Sequence, residues 1–318
     1  MDIYDAIIVG GASAGLSAAI YASRQGMKTL VITKDIGGQA LLTTDIPNYP
    51  GFDMIGGFEL TNKFKDQAQN YGTEFLYDEV LKISKNGDNF TVKTANKEFS
   101  SMSVILAFGK TPRDLNVSGE AELKGHGISY CAICDGPLFR GKEVAIVGNG
   151  SHALEAMIYL SSVAGKVHYI TNGRKLLGED EMLETVNSIK NKEIFFGSTL
   201  ISVNGKQSVE SITFENKSSG KRNTLLVSAV FAEMGYIAKS GFVKDLVELT
   251  ENNEVIVDKF CKTSTEGIFA CGDVTDTPYK QAVISAGQGA TAALSAYNYV
   301  QKRKGKVAAK SDWKLIKH

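Results

Sequence analysis

The sequence is poor in cysteine and tryptophan, and it lacks both an excess of one charge and a long apolar run. Four cysteines and one tryptophan occur in 318 residues, too few for a disulfide-stapled scaffold. Lysine plus arginine equals aspartate plus glutamate at 35 each, so no basic field indicates nucleic acid binding. No apolar run approaches the roughly 20 residues that span a bilayer. We expect a cytoplasmic protein, in which a Cys-x-x-Cys pair is catalytic or metal-binding rather than structural.

The chain carries one supersecondary pattern twice and is long enough for two domains. With 318 residues, 43% of them hydrophobic, it exceeds what one core usually serves. A strand over Ala6–Val9, a glycine turn, a helix over Leu16–Ser23 and a strand over Thr29–Thr33 form a βαβ unit. Residues 143–171 repeat that order. We therefore predict an α/β fold with two Rossmann-like dinucleotide-binding domains.

The order of the segments predicts that the second domain is inserted into the first. A long Ala-rich helix over about Gln281–Val300 follows an apolar strand near the carboxyl end and completes the first domain. We predict residues 1–112 and 243–318 for the first domain and residues 113–242 for the inserted domain. The basic tail, which holds Trp313, is either a solvated terminus or a docking strip for an acidic partner.

The first glycine turn has the composition of a pyrophosphate-binding loop. Small residues let the backbone approach phosphate oxygens, and a helix N-terminus presents free N–H groups there. Gly10 suits the tight turn and Gly15 suits close helix–strand packing, whereas Ala12 adds a methyl group where a G-x-G motif has its second glycine. Asp35, just past the second strand, is the best-placed acid for a ribose hydroxyl. The candidate phosphate-binding residues are Gly10, Ala12, Ser13, Ala14 and Gly15.

A second candidate element for the cofactor lies near the carboxyl end. Gly272-Asp273-Val274 follows a short strand and precedes the long helix. An aspartate at a strand end can accept hydrogen bonds from the ribityl and phosphate region of a flavin. The helix start at Gln281-Ala282 can stabilise negative charge on a reduced flavin ring. Together with the first glycine turn, this element favours a flavin site over a plain turn.

The segment Tyr130-Cys131-Ala132-Ile133-Cys134-Asp135-Gly136 carries the strongest chemical signal. Two thiols at this spacing can close a small disulfide ring, and a lowered pKa makes one of them a nucleophile. The adjacent carboxylate of Asp135 can exchange protons with a leaving thiolate. A zinc site would need a second ligand pair, but Cys261 and Cys271 lie in strand-like contexts, not in knuckle turns. We therefore predict a redox-active dithiol and no metal.

The order and spacing of these elements resemble the low-molecular-weight thioredoxin reductases, a class of FAD-dependent pyridine nucleotide-disulfide oxidoreductases. The resemblance covers about Asp5–Tyr299, and its most specific part is the Cys-x-x-Cys-Asp-Gly just before the second βαβ unit. Further matching segments are Gly37-Gly38-Gln39, Ile46-Pro47-Asn48-Tyr49-Pro50-Gly51, Thr111-Pro112-Arg113 and Pro278-Tyr279-Lys280-Gln281-Ala282.

The resemblance implies a homodimeric enzyme that reduces the disulfide of a thioredoxin-like protein. Cys131 would attack that disulfide, Cys134 would face the flavin, and Asp135 would donate and accept the proton. The inserted domain would rotate about hinges near residues 111–113 and 241–242, so that the dithiol meets flavin and partner in turn. The residues implied to hold FAD are Gly10–Gly15, Gly38, Gln39, Asn48, Gly272, Asp273, Gln281 and Ala282.

The second glycine turn departs from the pattern with which the family holds NADPH. Where the family has a His-Arg-Arg run for the 2′-phosphate, this chain reads Thr171-Asn172-Gly173, and Arg174 follows one step later. No acid ends that strand, so a switch to NADH is not indicated either. Glu233 stands where the family has an apolar residue near the nicotinamide. The residues that still suit a pyrophosphate are Gly148, Gly150 and Ser151.

Three interpretations of the electron flow stay open. NADPH would remain the donor if the absence of the His-Arg-Arg run only weakens its binding. Ferredoxin or another reduced flavin would replace NADPH if the nucleotide site is lost. A dithiol oxidase would run in the other direction and pass electrons from a dithiol to oxygen. His152 in the second turn is expected to cap its helix as a neutral imidazole.

Overall fold

The computed structural model describes residues 3–42 and 46–306, so Trp313 and the end of the basic tail lie outside the described residues. The beginning of the tail is paired with the body of the protein. Arg303 donates to the carbonyl oxygen of Met102 at 3.1 Å, and the Lys304 ammonium lies 2.6 Å from the Asp5 carboxylate. None of the helices within the described ranges is long and apolar enough to cross a membrane.

The chain folds as two units, with the second inserted in the first. The first unit contains the described residues up to Thr111 and from Ala238 onward, and the second is Pro112–Ile237. The first unit therefore resumes at Ala238, whereas the sequence pattern places Phe242 at the end of the inserted domain. The reason is that the Phe242 ring packs on Phe108 of the first unit, at a centroid distance of 4.9 Å.

A seven-stranded sheet forms the centre of the first unit. Its strands are β1 (Ile3–Val9), β2 (Thr29–Thr33), β3 (Glu74–Tyr77), β4 (Val80–Asn86), β5 (Asn89–Thr94), β6 (Glu98–Leu106) and β17 (Ile268–Ala270). The order is β3-β2-β1-β6-β5-β4, and β17 also pairs with β6. The β1, β2, β3, β6 and β17 pairings are parallel, whereas β5 is antiparallel to both its neighbours. Strands β1 and β2 are mostly apolar and almost entirely buried, as central strands covered on both faces require.

Three helices accompany this sheet. They are α1 (Ser13–Arg24), α2 (Gly57–Asn70) and α7 (Ala282–Arg303). Helix α1 begins at Ser13 and not at Leu16, because the small residues after the glycine turn already fit a buried first turn. Helix α7 lies so close to α1 that a Cβ at Gly289 would meet the carbonyl oxygen of Ala14 at 2.1 Å. The small residues predicted for this helix thus serve close helix–helix packing.

The second unit contains a five-stranded parallel sheet and a three-stranded antiparallel sheet. Its strands, with the two short ones at the crossings, are β7 (Thr111–Pro112), β8 (Ile128–Ser129), β9 (Glu143–Gly148), β10 (Lys166–Ile170), β11 (Lys192–Phe195), β12 (Ser198–Asn204), β13 (Ser211–Asn216), β14 (Arg222–Leu226), β15 (Ala229–Glu233) and β16 (Tyr236–Ile237). Its helices are α3 (Glu120–Leu123), α4 (Ala132–Asp135), α5 (Ser151–Val163) and α6 (Asp180–Ser188). The parallel sheet has the order β11-β10-β9-β15-β8. The α/β fold with two Rossmann-like sheets is therefore confirmed.

The packing of α7 on α1 predicts opposite effects for two glycines of α7. We expect Gly289→Ala to lower the free energy of unfolding by about 1–3 kcal/mol, because the new methyl group overlaps backbone atoms of α1. Gly287→Ala meets no atom within 4 Å and should raise it by roughly 0.5–1 kcal/mol through helix propensity. Urea unfolding of both variants checks this. Equal effects of the two substitutions would contradict the packing.

Candidate functional site

The first glycine turn leaves a row of backbone donors at the start of α1. Gly10 has a φ of +115°, and a Cβ there would meet the carbonyl oxygen of Ala107 at 2.2 Å. A Cβ at Gly15 would meet the carbonyl oxygen of Gly10 at 1.9 Å, so neither position accepts a side chain. The amides of Ser13, Ala14 and Gly15 are buried and donate to no group within residues 3–42 and 46–306. Such free donors at a helix N-terminus fit a diphosphate.

The Gly272-Asp273 turn lies directly against that helix start. A Cβ at Gly272 would come within 2.7 Å of the Ala14 Cβ. The Asp273 carboxylate accepts a hydrogen bond from the Ser285 hydroxyl at 3.2 Å, and the Gly272 amide donates to the Gln288 side chain at 2.8 Å. Ser285 and Gln288 were not predicted. The signal that could have revealed them is two polar residues one turn apart on an Ala-rich helix.

Other predicted cofactor residues form two further contacts in the same unit. The Asn48 side chain donates a hydrogen bond to the Gln281 side chain at 3.1 Å. This bond joins the segment between β2 and α2 to the residue that precedes α7. Gln39 donates to a backbone carbonyl oxygen of the loop after β6 at 3.0 Å. The Asp35 carboxylate accepts a hydrogen bond from the Gly38 amide at 3.0 Å. This bond stabilises the turn over residues 35–38. Together with the free amides of α1, this polar set fits FAD.

The dithiol is a disulfide at the start of α4. Cys131 and Cys134 are bonded to each other. The Cys131 sulfur also accepts a hydrogen bond from the Cys134 amide at 3.1 Å. Cys131 is half-buried and Cys134 is exposed. The neighbouring Asp135 is half-buried, and its carboxylate has no hydrogen bond or ion pair within the described ranges, which leaves it available for proton exchange.

A hydrogen-bond network that the sequence did not indicate holds the segment before the dithiol. The buried Glu120 carboxylate accepts from the Leu115 amide at 2.6 Å, from the Asn116 amide at 2.7 Å and from the Tyr130 hydroxyl at 2.5 Å. Burial and the bond to Glu120 raise the pKa of Tyr130 well above its usual value. Ser129 both donates to Cys131 and accepts from it. The dithiol therefore follows a segment with little freedom.

The other two cysteines are buried in the first unit. Cys261 and Cys271 are both free thiols. Burial, with a smaller contribution from Asp258, raises the pKa of Cys261 to about 11. Burial also raises the pKa of Cys271 well above its usual value. Thiols with such pKa values are poor nucleophiles at neutral pH, so the reactive pair is the one at α4.

The second glycine turn also presents unpaired amides. Gly150 has a φ of +85° and precedes α5, whose first amides have no acceptor within the described residues. The expected helix cap from His152 is wrong, because its ring packs on Tyr236 and its Nδ1 lies 3.5 Å from Glu155. Arg174 is exposed and makes no ion pair among the described residues.

Two carboxylates lie beside this turn. Glu233 ends β15 in parallel register with Gly148, and it is half-buried. Burial and the charge of Glu155 raise the pKa of Glu233 to about 7. Burial and the same two carboxylates raise the pKa of Tyr236. The sequence indicated Glu233, but Glu155 was missed because only the packing of α5 brings it near.

We expect Tyr130→Phe to lower the free energy of unfolding of the second unit by about 1–3 kcal/mol, because the buried Glu120 carboxylate loses a hydrogen-bond donor. Tyr77→Phe is the control, since its hydroxyl is exposed and makes no hydrogen bond within the described residues. Urea unfolding followed by circular dichroism measures both. Equal stability of Tyr130→Phe and the unsubstituted protein would contradict the network.

Comparisons with known proteins agree with these features. The model of the pyridine nucleotide-disulphide oxidoreductase family matches residues 4–289. The thioredoxin reductase of Treponema pallidum (strain Nichols) is 38% identical over 301 residues, which cover 93% of this chain and 97% of that protein. Two crystal structures are similar over nearly full length. The thioredoxin reductase of Lactococcus lactis in its FR conformation is 32% identical with a TM-score of 0.83 and covers 94% of this chain and 99% of its own.

The second crystal structure is a ferredoxin-flavin thioredoxin reductase from Clostridium acetobutylicum. It is 34% identical with a TM-score of 0.55 and covers 96% of this chain and 100% of its own. FAD, the cofactor implied by the motifs, is the cofactor of this family. The chain therefore belongs to the pyridine nucleotide-disulphide oxidoreductase family and, within it, to the low-molecular-weight thioredoxin reductases.

Proposed function

We propose that the protein is an FAD-dependent disulfide reductase that acts on the disulfide of a thioredoxin-like protein. The single observation that carries the proposal is the Cys131–Cys134 disulfide in a chain that also has a complete cradle for FAD. The proposed cofactor residues are Gly10, Ala12, Ser13, Ala14, Gly15, Asp35, Gly38, Gln39, Asn48, Gly272, Asp273, Gln281 and Ala282. FAD, when bound, supplies the electron pair that reduces this disulfide.

The two cysteines have different tasks in the proposed reaction. The Cys131 thiolate attacks one sulfur of the partner disulfide, which forms a mixed disulfide and releases one partner thiolate. Asp135 donates the proton that this thiolate takes up. Cys134 then attacks the Cys131 sulfur, which releases the second partner thiol and restores the Cys131–Cys134 disulfide. Two electrons and two protons thus pass from the dithiol to the partner.

We also propose that the electron donor is not NADPH. Thr171-Asn172-Gly173 offers no guanidinium for a 2′-phosphate, and Arg174 is exposed beyond it. The relative from Clostridium acetobutylicum is a ferredoxin-flavin thioredoxin reductase, so a ferredoxin-type donor has a precedent in this group. A cytoplasmic homodimer, with rotation of the inserted unit between flavin and partner, is what the family resemblance supports.

The assignment of the nucleophile predicts the behaviour of three variants. Protein reduced with one equivalent of dithionite should transfer its electrons to oxidised thioredoxin, and Cys131→Ser should slow this transfer by at least about a thousandfold. Flavin absorbance should stay unchanged in that variant. Cys134→Ser should accumulate a mixed disulfide with thioredoxin, and Cys261→Ala should transfer normally because its thiol is buried. Full transfer by Cys131→Ser would contradict the proposal.

The choice of donor predicts the outcome of an anaerobic titration. Reduced ferredoxin should bleach the flavin absorbance stoichiometrically, whereas micromolar NADPH and NADH should not. The second turn has neither a guanidinium for the 2′-phosphate of NADPH nor an acid for the ribose 2′-hydroxyl of NADH. Rapid bleaching by micromolar NADPH would contradict this. Peroxide release from a dithiol and oxygen, with no reduction by any of the three donors, would identify a dithiol oxidase instead.

A further inference from the structure

The second glycine turn combines features that attract anions with features that repel them. The amides of Ser151, His152 and Ala153 at the start of α5 have no acceptor within the described residues. A helix start of this kind favours a diphosphate. Two carboxylates lie beside the turn, however: Glu233 at the end of β15 and Glu155 on α5.

Glu233 is placed at the turn by the register of the sheet. It lies opposite Gly148 in the parallel pairing of β15 with β9. A Cβ at Gly148 would be 2.2 Å from the Glu233 carbonyl oxygen and 3.0 Å from its Cβ. Both residues are at the carboxyl edge of the sheet, where dinucleotides bind in Rossmann folds. The backbone and Cβ of Glu233 therefore lie beside Gly148, the first glycine of the turn that would hold a diphosphate.

Among the described residues, no lysine or arginine compensates the charge of the two carboxylates. Within the described residues neither Glu233 nor Glu155 pairs with a lysine or an arginine, and the nearest ionisable partner is His152, whose Nδ1 is 3.5 Å from Glu155. Tyr236 faces the same space and has its ring 5.8 Å from His152. Arg113, on the loop bonded to Gly235, makes no ion pair with either carboxylate.

Whether the second turn attracts or repels a diphosphate depends on the size of the helix-dipole effect relative to that of the two carboxylate charges. The helix dipole favours a bound anion by less than about tenfold. Each full negative charge within a few ångströms opposes it by more than about tenfold at the effective dielectric of a protein surface. We propose that Glu233, assisted by Glu155, is the specificity residue that keeps dinucleotides out of the second glycine turn at neutral and alkaline pH. The proposal deepens the proposed choice of donor and rests on it.

The raised pKa of Glu233 sets the expected pH dependence. Burial and Glu155 shift it to about 7, so the carboxyl group is largely neutral at pH 6 and ionised at pH 8. Repulsion of a diphosphate is therefore present above pH 7 and is lost as the pH falls through 7. The Glu155 charge contributes to this shift, so its removal moves the transition to lower pH.

Equilibrium binding of NAD⁺ to the FAD-loaded protein tests the proposal, because its diphosphate keeps the same charge between pH 6 and 8. In the unsubstituted protein the affinity should fall by roughly tenfold over this range. Glu233→Gln should bind about tenfold more tightly at pH 8 and show a smaller dependence on pH. Glu155→Gln should shift the midpoint to lower pH. Glu184→Gln, an exposed carboxylate of α6, should behave as the unsubstituted protein.

Two results would overturn the proposal: an affinity of Glu233→Gln at pH 8 equal to that of Glu184→Gln, or tight NAD⁺ binding to the unsubstituted protein at pH 8. Failure here is distinguishable from failure of the proposed reaction. Electron transfer from the dithionite-reduced protein to thioredoxin does not use the second turn, so it reports on the dithiol alone.

Discussion

The close approach of Gly272 to the first turn of α1 is the constraint on which the first unit depends. A methyl group at Gly272 would lie 2.7 Å from the Ala14 Cβ, and one at Gly289 would lie 2.1 Å from the Ala14 carbonyl oxygen. Both contacts join the amino-terminal glycine turn to the segment that follows the inserted unit. Because the backbones approach this closely, the free amides of α1 and the carboxylate of Asp273 come to share one site.

The same βαβ design occurs in both units, but the surroundings of the two turns differ in charge. At the first turn the nearby Asp273 carboxylate accepts a hydrogen bond from Ser285 and lies on a different element from the free amides. At the second turn Glu155 lies on α5, the helix that begins there, and Glu233 ends β15, the strand paired with β9. A glycine-rich turn before a helix thus provides the backbone for a dinucleotide, whereas side chains on neighbouring elements decide whether one binds.

The segments before and after the dithiol are held by different parts of the second unit. Glu120 and Tyr130 fix the segment before it, and the Tyr159 ring and Leu160 contact the position of Gly136 after it. A Cβ at Gly136 would come within 2.9 Å of Leu160. Helix α5 therefore both begins at the second glycine turn and packs against the segment that follows the dithiol.

Local patterns in the sequence were sufficient for the two glycine turns, the Cys131–Cys134 pair, the α/β class and the family, because each depends on residue type at short spacing. Tertiary structure alone decided the partners of Asp273, the Glu120–Tyr130 network and the proximity of Glu233 to Glu155. The physical reason is that burial and electrostatic neighbours arise when strands and helices far apart in the chain pack together. No local periodicity encodes such contacts, and for that reason Glu155, unlike Glu233, was recognised beside the second turn only in the folded chain.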